Sequence, residues 1–173
     1  MLGFDKLQTL VKEQRLIEEI HESELSKDGG VAFDLRIGEI HEFVGEGFLG
    51  INDRKTPDTS PLGVYEEGKS TKVFLEPNKY YVIKTIEKVN TPEDAAWLII
   101  PRSTVFRSGL LLLGGLGDPG FRGKVTSGLI NLTDKPFTLE LGSKIANIIF
   151  YKVEGSAKAY KGRYQGGKLG TKP

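Results

Sequence analysis

Eight short runs of β-forming residues, separated by turn formers, constrain the fold of this chain more than any other feature. The turn formers are Gly, Pro, Asn and Asp, and this combination is typical of strands. No helical pattern alternates with the runs, which disfavours a parallel sheet with crossover helices and favours an all-β sandwich or barrel. The predicted strands are 31–40, 72–75, 80–86, 96–100, 105–113, 124–132, 137–139 and 145–153.

One amphipathic helix precedes the predicted strands. Apolar residues recur there at helical spacing with charges between them, and Gly29-Gly30 ends the pattern. These apolar residues are Phe4, Leu7, Leu10, Val11, Ile17 and Ile20. We therefore expect a helical segment within residues 1–30 and a single domain that spans residues 1–173.

Two polar segments interrupt the β pattern. Residues 45–70 are rich in turn formers, which predicts a long surface excursion with room for a hairpin. Residues 155–173 are mostly Gly, Lys, Tyr and Thr and cannot build a core alone. Such a segment is either a frayed tail or a flexible flap that closes over a ligand, and the residues alone leave both interpretations open.

Charge and composition exclude several classes of function. The net charge of +1 gives no bias towards nucleic acid or anionic membranes. Cysteine is absent, and nothing places His21 and His41 together, which argues against a zinc site or a Ser-His-Asp triad. No segment is long and apolar enough to span a bilayer, and the N-terminus lacks a signal-peptide pattern. We expect a cytoplasmic protein without nucleic-acid or membrane partners.

The glycine-rich stretch 114–123 carries the main candidate for chemistry. It places one carboxylate, Asp118, close to one aromatic ring, Phe121, in a turn where glycine allows a ligand to approach the backbone. An acid and a ring in such a loop could hold a polar planar molecule and activate a water beside it. On local grounds alone, a simple Asp-Pro-Gly turn explains the stretch equally well.

Four other motifs carry weaker signals. Arginine and hydroxyl donors suited to phosphate follow a predicted strand, although a capped turn is the simpler interpretation. Two charges on one face of the first strand indicate either an ion pair or a ligand-facing carboxylate. A buried amide needs backbone or ligand partners, and the mobile end adds an arginine and an aromatic ring. The residues are Arg102, Ser103 and Thr104; Asp34 and Arg36; Asn147; and Arg163 and Tyr164.

Taken together and in order, these motifs resemble the trimeric dUTPase and dCTP deaminase superfamily. The matching stretches run from Ala32 to Gly167, and the leading helix resembles the start of the deaminase branch. The resemblance implies a distorted β-barrel or jelly-roll subunit in a homotrimer with active sites between subunits. It also implies a nucleoside triphosphate substrate, Mg²⁺ as cofactor, and a C-terminal segment that closes over a neighbour's site.

The resemblance also implies a role for individual residues. Asp118 would orient and deprotonate the attacking water, and Phe121 would pack on the deoxyribose. Asn147 stands where the family usually carries Gln near the phosphates, and Asp34 is a candidate metal ligand. The substrate-binding set that the resemblance implies is Arg102, Ser103, Thr104, Phe121, Lys124, Val125, Asn147, Arg163, Tyr164 and Gln165.

One position favours the dUTPase branch. The deaminase branch carries a Glu ten residues after the loop aspartate as its general acid/base, and Gly128 stands there in this chain. Because glycine has no proton to transfer, ring deamination loses its catalyst. We therefore expect hydrolysis of dUTP to dUMP and pyrophosphate. A dCTP deaminase, with one or both activities, is one alternative, and a non-catalytic nucleotide-binding trimer is the other. Arg107 matches a deaminase-branch arginine, which we interpret as inherited architecture rather than activity.

Overall fold

The computed structural model describes residues 1–169. Within this range three helices are formed: α1 Phe4–Gln14, α2 Glu22–Leu25 and α3 Ser103–Arg107. The strands are β1 Ile17–Glu18, β2 Ala32–Val44, β3 Phe48–Leu49, β4 Arg54–Lys55, β5 Asp58–Val64, β6 Lys72–Leu75, β7 Tyr80–Asn90, β8 Ala95–Pro101, β9 Leu110–Leu112, β10 Gly115–Gly117, β11 Arg122–Asn131, β12 Phe137–Glu140 and β13 Lys144–Lys152.

Nine strands form one antiparallel sheet, and its order positions the candidate site. The path is β10-β8-β13-β2-β7-β11-β9, with β1 pairing with β7 and β5 pairing with β2. β6 and β12 form a separate pair, and β3 and β4 form a hairpin. The prediction of a mainly β, distorted-barrel fold with an N-terminal helix is confirmed. No helix within residues 1–169 is long and apolar enough to cross a membrane.

The N-terminal helix is shorter than the sequence predicts. α1 buries Phe4, Leu7 and Leu10 against the sheet and ends at Gln14, because Arg15 adopts a left-handed conformation with φ 53°. Ile17, predicted to continue the helix, pairs with Val89 of β7. The prediction of one continuous helix was therefore wrong beyond Gln14, since Ile17 lies in β1 and Ile20 lies in the link between β1 and the short α2.

The predicted strand 105–113 is also wrong in its first half. Residues 103–107 form α3, and only Leu110–Leu112 form a strand, β9. Gly109 separates the two elements and has a φ of 77°, a conformation that residues with a side chain rarely adopt. A short apolar run does not distinguish a strand from one helical turn by periodicity, so Ser108 and Gly109 were the better signal.

The polar excursion contains the hairpin for which its sequence left room. Phe48 pairs with Lys55 and Leu49 with Arg54 in the β3–β4 hairpin. The excursion then returns as β5, which adds to the sheet beside β2. Residues 45–70 therefore extend the sheet at one edge and leave the core to the strands around them.

Candidate active site

Asp118 lies in a tight turn between β10 and β11. The Phe121 amide donates to the Asp118 carbonyl oxygen at 3.2 Å, and Gly120 has φ 77°. Pro119 followed by a glycine of positive φ is typical of a type II turn. The Asp118 carboxylate is exposed and makes no hydrogen bond or ion pair within residues 1–169. It is therefore free to hold a water molecule or a ligand.

Aromatic rings form one wall of the cavity beside Asp118. Phe121 packs edge-to-face against Trp97, with ring centroids 5.5 Å apart, and against Tyr160 at 5.9 Å. The Trp97 indole donates to the hydroxyl of Thr91 at 2.8 Å. A side chain at Gly117 would overlap the Trp97 ring, so glycine there is required for this packing.

The cavity enclosed by these groups holds about 190 Å³. Its volume suits one planar ring or sugar and part of its neighbour rather than a complete nucleoside triphosphate. The triphosphate would extend beyond it. The residues that line the cavity are Trp97, Gly115, Leu116, Gly117, Asp118, Phe121, Val125, Thr126, Tyr160 and Tyr164.

The C-terminal segment lies over the turn of its own chain. The Gln165 amide group accepts from the Arg122 amide at 2.9 Å and donates to the Gly120 carbonyl at 3.0 Å. The Gly166 amide donates to the Arg122 carbonyl at 2.8 Å, and Gly123 forms a parallel bridge with Gly166. Within this chain the segment therefore lies over its own turn, and closure over a neighbouring subunit stays a prediction. Residues 170–173 of the predicted segment lie outside the described residues.

Glycine is required where this segment meets β11. A side chain at Gly123 would collide with the backbone of Gly166, and one at Gly167 would collide with the Lys124 carbonyl. The side chain of Arg163 is exposed and lines a separate cavity of about 210 Å³ with residues 49–54 of the hairpin. Of the C-terminal residues predicted to bind substrate, Tyr164 lines the Asp118 cavity and Gln165 fixes the segment.

The predicted phosphate-binding residues lie at the opposite end of β8. Gly117, which precedes Asp118, pairs with Trp97, whereas Arg102 follows the last residue of the strand. Arg102 follows Trp97 by five residue steps of extended chain, a distance of about 16 Å. Ser103 and Thr104 are exposed in the first turn of α3. One chain therefore does not bring its Asp118 and its own Arg102 together.

Asp34 is buried and faces Arg102. The residue is 6% exposed, and its carboxylate lies 3.3 Å from Arg102 Nε, 3.2 Å from Lys27 Nζ and 3.7 Å from Lys144 Nζ. Arg36 pairs instead with Glu87 at 2.6 Å, so Asp34 and Arg36 do not form an ion pair with each other.

The surroundings of Asp34 do not suit a cation. Its carboxylate already faces three positive side chains. The described residues contain no group of three or more His, Asp or Glu side chains that could hold a metal ion. The contacts of Asp34 therefore do not support the metal role predicted for it. They fit better a role in which Asp34 positions the side chain of Arg102.

Glu24 completes the charged cluster beneath Arg102. It is fully buried, accepts from the Asp34 amide at 2.7 Å, and pairs with Lys27 at 2.5 Å and with Lys144 at 2.6 Å. Burial alone raises the pKa of Glu24, but the hydrogen bonds from Asp34, Lys144 and Lys27 lower it below its ordinary value of 4.5. Glu24 is therefore ionised at neutral pH and holds both lysines.

Asn147 lies on the same sheet face as Asp34. It is opposite Asp34 on β2 and Ile100 on β8, is half-buried, and makes no side-chain hydrogen bond within residues 1–169. This face carries exposed apolar residues as well: Leu98 is 37% exposed, Ile100 43% and Leu116 67%. An amide with no partner among apolar groups remains available to a ligand or to another subunit.

At Gly128, where the resemblance places the Glu of the deaminase branch, a side chain would require Tyr80 and Leu113 to shift. A Cβ atom there would overlap the Tyr80 hydroxyl and would lie 2.8 Å from Leu113 Cδ1. Gly128 pairs with Val82 in the interior of the β7–β11 ladder, which leaves the backbone little freedom to move aside.

Several residues of the cavity were missed by sequence reasoning. Trp97 and Tyr160 both contact Phe121, and Thr126 lines the cavity beside the predicted Val125. Trp97 is the only tryptophan in the chain, which was the one available signal. The others depend on contacts between distant segments, and spacing along the chain does not reveal these. Lys124, which the sequence predicts to bind substrate, places its carbonyl oxygen where a side chain at Gly167 would collide with it.

Comparison with known proteins places these residues in a family. The dCTP deaminase-like family matches residues 1–153. A relative from Methanothermobacter thermautotrophicus, named probable deoxyuridine 5′-triphosphate nucleotidohydrolase, is 37% identical over 82% of this chain and 89% of its own. A dCTP deaminase from Pyrobaculum calidifontis is 31% identical over 100% of this chain and 96% of its own.

A solved structure shows the same fold. The 2′-deoxycytidine 5′-triphosphate deaminase from Agrobacterium tumefaciens superposes with a TM-score of 0.63 at 16% identity. The match covers 86% of this chain and 47% of that one, so this chain spans about half the length of that structure. The relatives carry two different names, but their family is the same. The match to residues 1–153 and the shared fold show that this chain belongs to the dCTP deaminase-like family.

Proposed function

We propose that this chain hydrolyses dUTP to dUMP and pyrophosphate. The observation that carries the proposal is that position 128 offers no carboxylate and that the Tyr80 hydroxyl occupies the place of its side chain. Deamination of a cytosine ring needs an acid/base group beside the ring, whereas phosphoryl hydrolysis needs a carboxylate that activates water and cations that offset the charge of the phosphates. Asp118 is free to serve as that carboxylate.

Asp118 acts as the general base of the reaction. Its unpaired carboxylate accepts a proton from a water molecule as the water oxygen bonds to the α-phosphorus. The bond from the α-phosphorus to the bridging oxygen breaks, and the electron pair leaves with pyrophosphate. The edge-to-face rings of Phe121 and Trp97 provide an apolar wall for the deoxyribose, which disfavours the extra hydroxyl of a ribose.

Arg102 and Ser103 bind the phosphates of a nucleotide held by another subunit. This arrangement follows from the distance of about 16 Å between Trp97, which pairs beside Asp118, and Arg102, since one chain does not bring its own groups together. The exposed Leu98, Ile100 and Leu116 provide an apolar face for the subunit contact. We accordingly propose a homotrimer, in which Asp118 and Arg102 of different chains complete each site.

Mg²⁺ enters this proposal with the substrate. The described residues form no cluster of carboxylates or histidines for a metal ion, so any Mg²⁺ would be held by the triphosphate itself and would offset its negative charge. The steps assigned to Asp118, Phe121 and Arg102 do not depend on a protein-bound metal.

A nucleotide panel tests the proposal. Purified protein with Mg²⁺ should release pyrophosphate from dUTP and should release no ammonia from dCTP. Asp118→Asn should lose about 10²-fold or more in kcat, whereas Asp134→Asn, a change in an exposed turn, should keep wild-type rates. Ammonia release from dCTP without cleavage of dUTP would establish the deaminase alternative, and nucleotide binding without turnover would establish the non-catalytic one.

A further inference from the structure

We propose that Thr85 is a positioning residue whose hydroxyl holds Val125 of β11 across a β-bulge of β7, so that Val125 and Thr126 both line the nucleotide pocket. The proposal rests on the function proposed above, because it takes the cavity beside Asp118 as the nucleotide site. Thr85 is 3% exposed and does not line that cavity. Its effect on a ligand would therefore pass through β11.

The Thr85 hydroxyl has both of its hydrogen-bonding roles defined. It donates its proton to the Glu87 carbonyl at 2.8 Å, and it accepts from the Val125 amide at 2.9 Å. A threonine hydroxyl has one proton to donate, so the first bond leaves its lone pairs for the second. The Val125 amide thus bonds to a side chain instead of to a β7 carbonyl.

This bond coincides with a break in strand register. Lys124 pairs with Lys88 and Thr126 with Lys84, so Val125 alone on β11 faces residues 85–87 of β7, and the bulge lies on β7. Consecutive residues of a regular strand point to opposite faces, yet both Val125 and Thr126 line the cavity beside Asp118. A bulge disrupts the ladder locally and is common beside a site, and here the Thr85 hydroxyl replaces the main-chain acceptor that the bulged β7 does not offer to Val125.

A second bulge meets Thr85 from the other side. The β2–β7 register shifts between Ile37 and Glu39, and a Cβ at Gly38 would lie 3.0 Å from the Thr85 carbonyl oxygen. Thr85 therefore lies at one end of the β7 bulge and faces the bulge of β2 at Gly38. The backbone of Thr85 packs closely against Gly38. Its hydroxyl bonds to the Val125 amide and so fixes Val125 relative to β7.

The alternative is that Thr85 only satisfies buried polar groups and contributes to stability. Losing its hydroxyl leaves the Val125 amide and the Glu87 carbonyl unpaired, at about 1–3 kcal/mol for each group. A stability measurement alone does not separate the two roles. Substrate KM does, because a purely structural residue leaves KM unchanged in the fraction of molecules that is folded.

Four variants of the full chain test the proposal with dUTP and Mg²⁺. Thr85→Val, which keeps the shape and loses the hydroxyl, should raise KM about tenfold, as expected for one misplaced set of contacts. Thr85→Ser, which keeps the hydroxyl, should stay within about twofold of wild type. Ile40→Val, a core change costing about 0.5–1.5 kcal/mol, should lower the unfolding temperature without raising KM.

Thr85→Cys, with a weaker acceptor, covers the case in which Thr85→Val does not fold, and it should give an intermediate KM. Wild-type KM in Thr85→Val, or in Thr85→Cys if the valine variant is unfolded, overturns the positioning role. A wild-type protein that releases no pyrophosphate from dUTP contradicts the proposed function instead, and dUMP binding by the same variants then decides the role of Thr85.

Discussion

The hydroxyl of Tyr80 occupies the space that a side chain at Gly128 would need. Burial raises the pKa of the Tyr80 phenol, so the group stays protonated well above neutral pH and is a poor proton shuttle. Its ring also stacks on Phe43, with centroids 5.5 Å apart. The absence of an acid at Gly128 and the presence of the Tyr80 hydroxyl in its place thus both argue against deamination of a cytosine ring.

We expect Gly128→Glu to destabilise the protein without creating a deaminase. The new side chain overlaps Tyr80 and would place a carboxylate in a strand interior, which costs at least the 1–3 kcal/mol of an overpacked site. Urea unfolding and an ammonia assay with dCTP measure both effects. Gly128→Ala should already destabilise, and Tyr80→Ala combined with Gly128→Ala should cost less than the two single changes added together. Additive costs would show that Tyr80 is not the obstacle.

Gln165 should control closure of the C-terminal segment. Gln165→Leu removes hydrogen bonds to Arg122 and Gly120, worth about 0.5–1.5 kcal/mol each. We expect faster proteolysis after residue 155 and a higher KM for dUTP, with little change in the unfolding of the sheet. Gln14→Leu, on the exposed end of α1, is the matched control. Proteolysis of Gln165→Leu at the wild-type rate would mean that these bonds do not hold the segment.

Most strands could be predicted from the sequence because the β-forming residues within each run are enough to indicate a buried strand. Predicted strand 72–75 coincides with β6, and predicted 145–153 is shifted by one residue from β13. The errors have a common cause. Arg15 ends α1 through a backbone conformation, and α3 occupies an apolar run too short to show its period.

The candidate site was predictable only in part. Asp118 and Phe121 are neighbours in sequence, so their shared turn was visible, and the Asp-Pro-Gly composition defines its geometry. Trp97 and Thr85 reach the site through strand pairing, and no local pattern records which residues a sheet brings together. The contacts of Asp34 were likewise hidden, because its partners come from three separate segments.

The charged cluster beneath Arg102 should make stability depend on acid pH through Glu24. Its pKa is lower in the folded chain than its ordinary value of 4.5. The stabilisation is therefore fully present above about pH 4.5 and is lost as pH falls through the lower folded value. Glu24→Gln should cost about 1–3 kcal/mol at pH 7 and should flatten the fall in unfolding free energy below pH 4.5. Glu22→Gln, an exposed neighbour, is the control. Unchanged acid dependence in Glu24→Gln would exclude this carboxylate as its source.

A last prediction separates the positioning role of Asp34 from the metal role that the resemblance suggested. Asp34→Asn keeps the shape but weakens the ion pair with Arg102 at 3.3 Å. If Asp34 orients that guanidinium, KM for dUTP should rise about five- to tenfold while binding of deoxyuridine, which has no phosphate, stays unchanged. The Mg²⁺ concentration for half-maximal rate should also stay unchanged, because the carboxylate faces three cations and has no second acid beside it. Steady-state rates over a Mg²⁺ series, in wild type and variant, measure both quantities. A requirement for much higher Mg²⁺ in Asp34→Asn alone would restore the metal role.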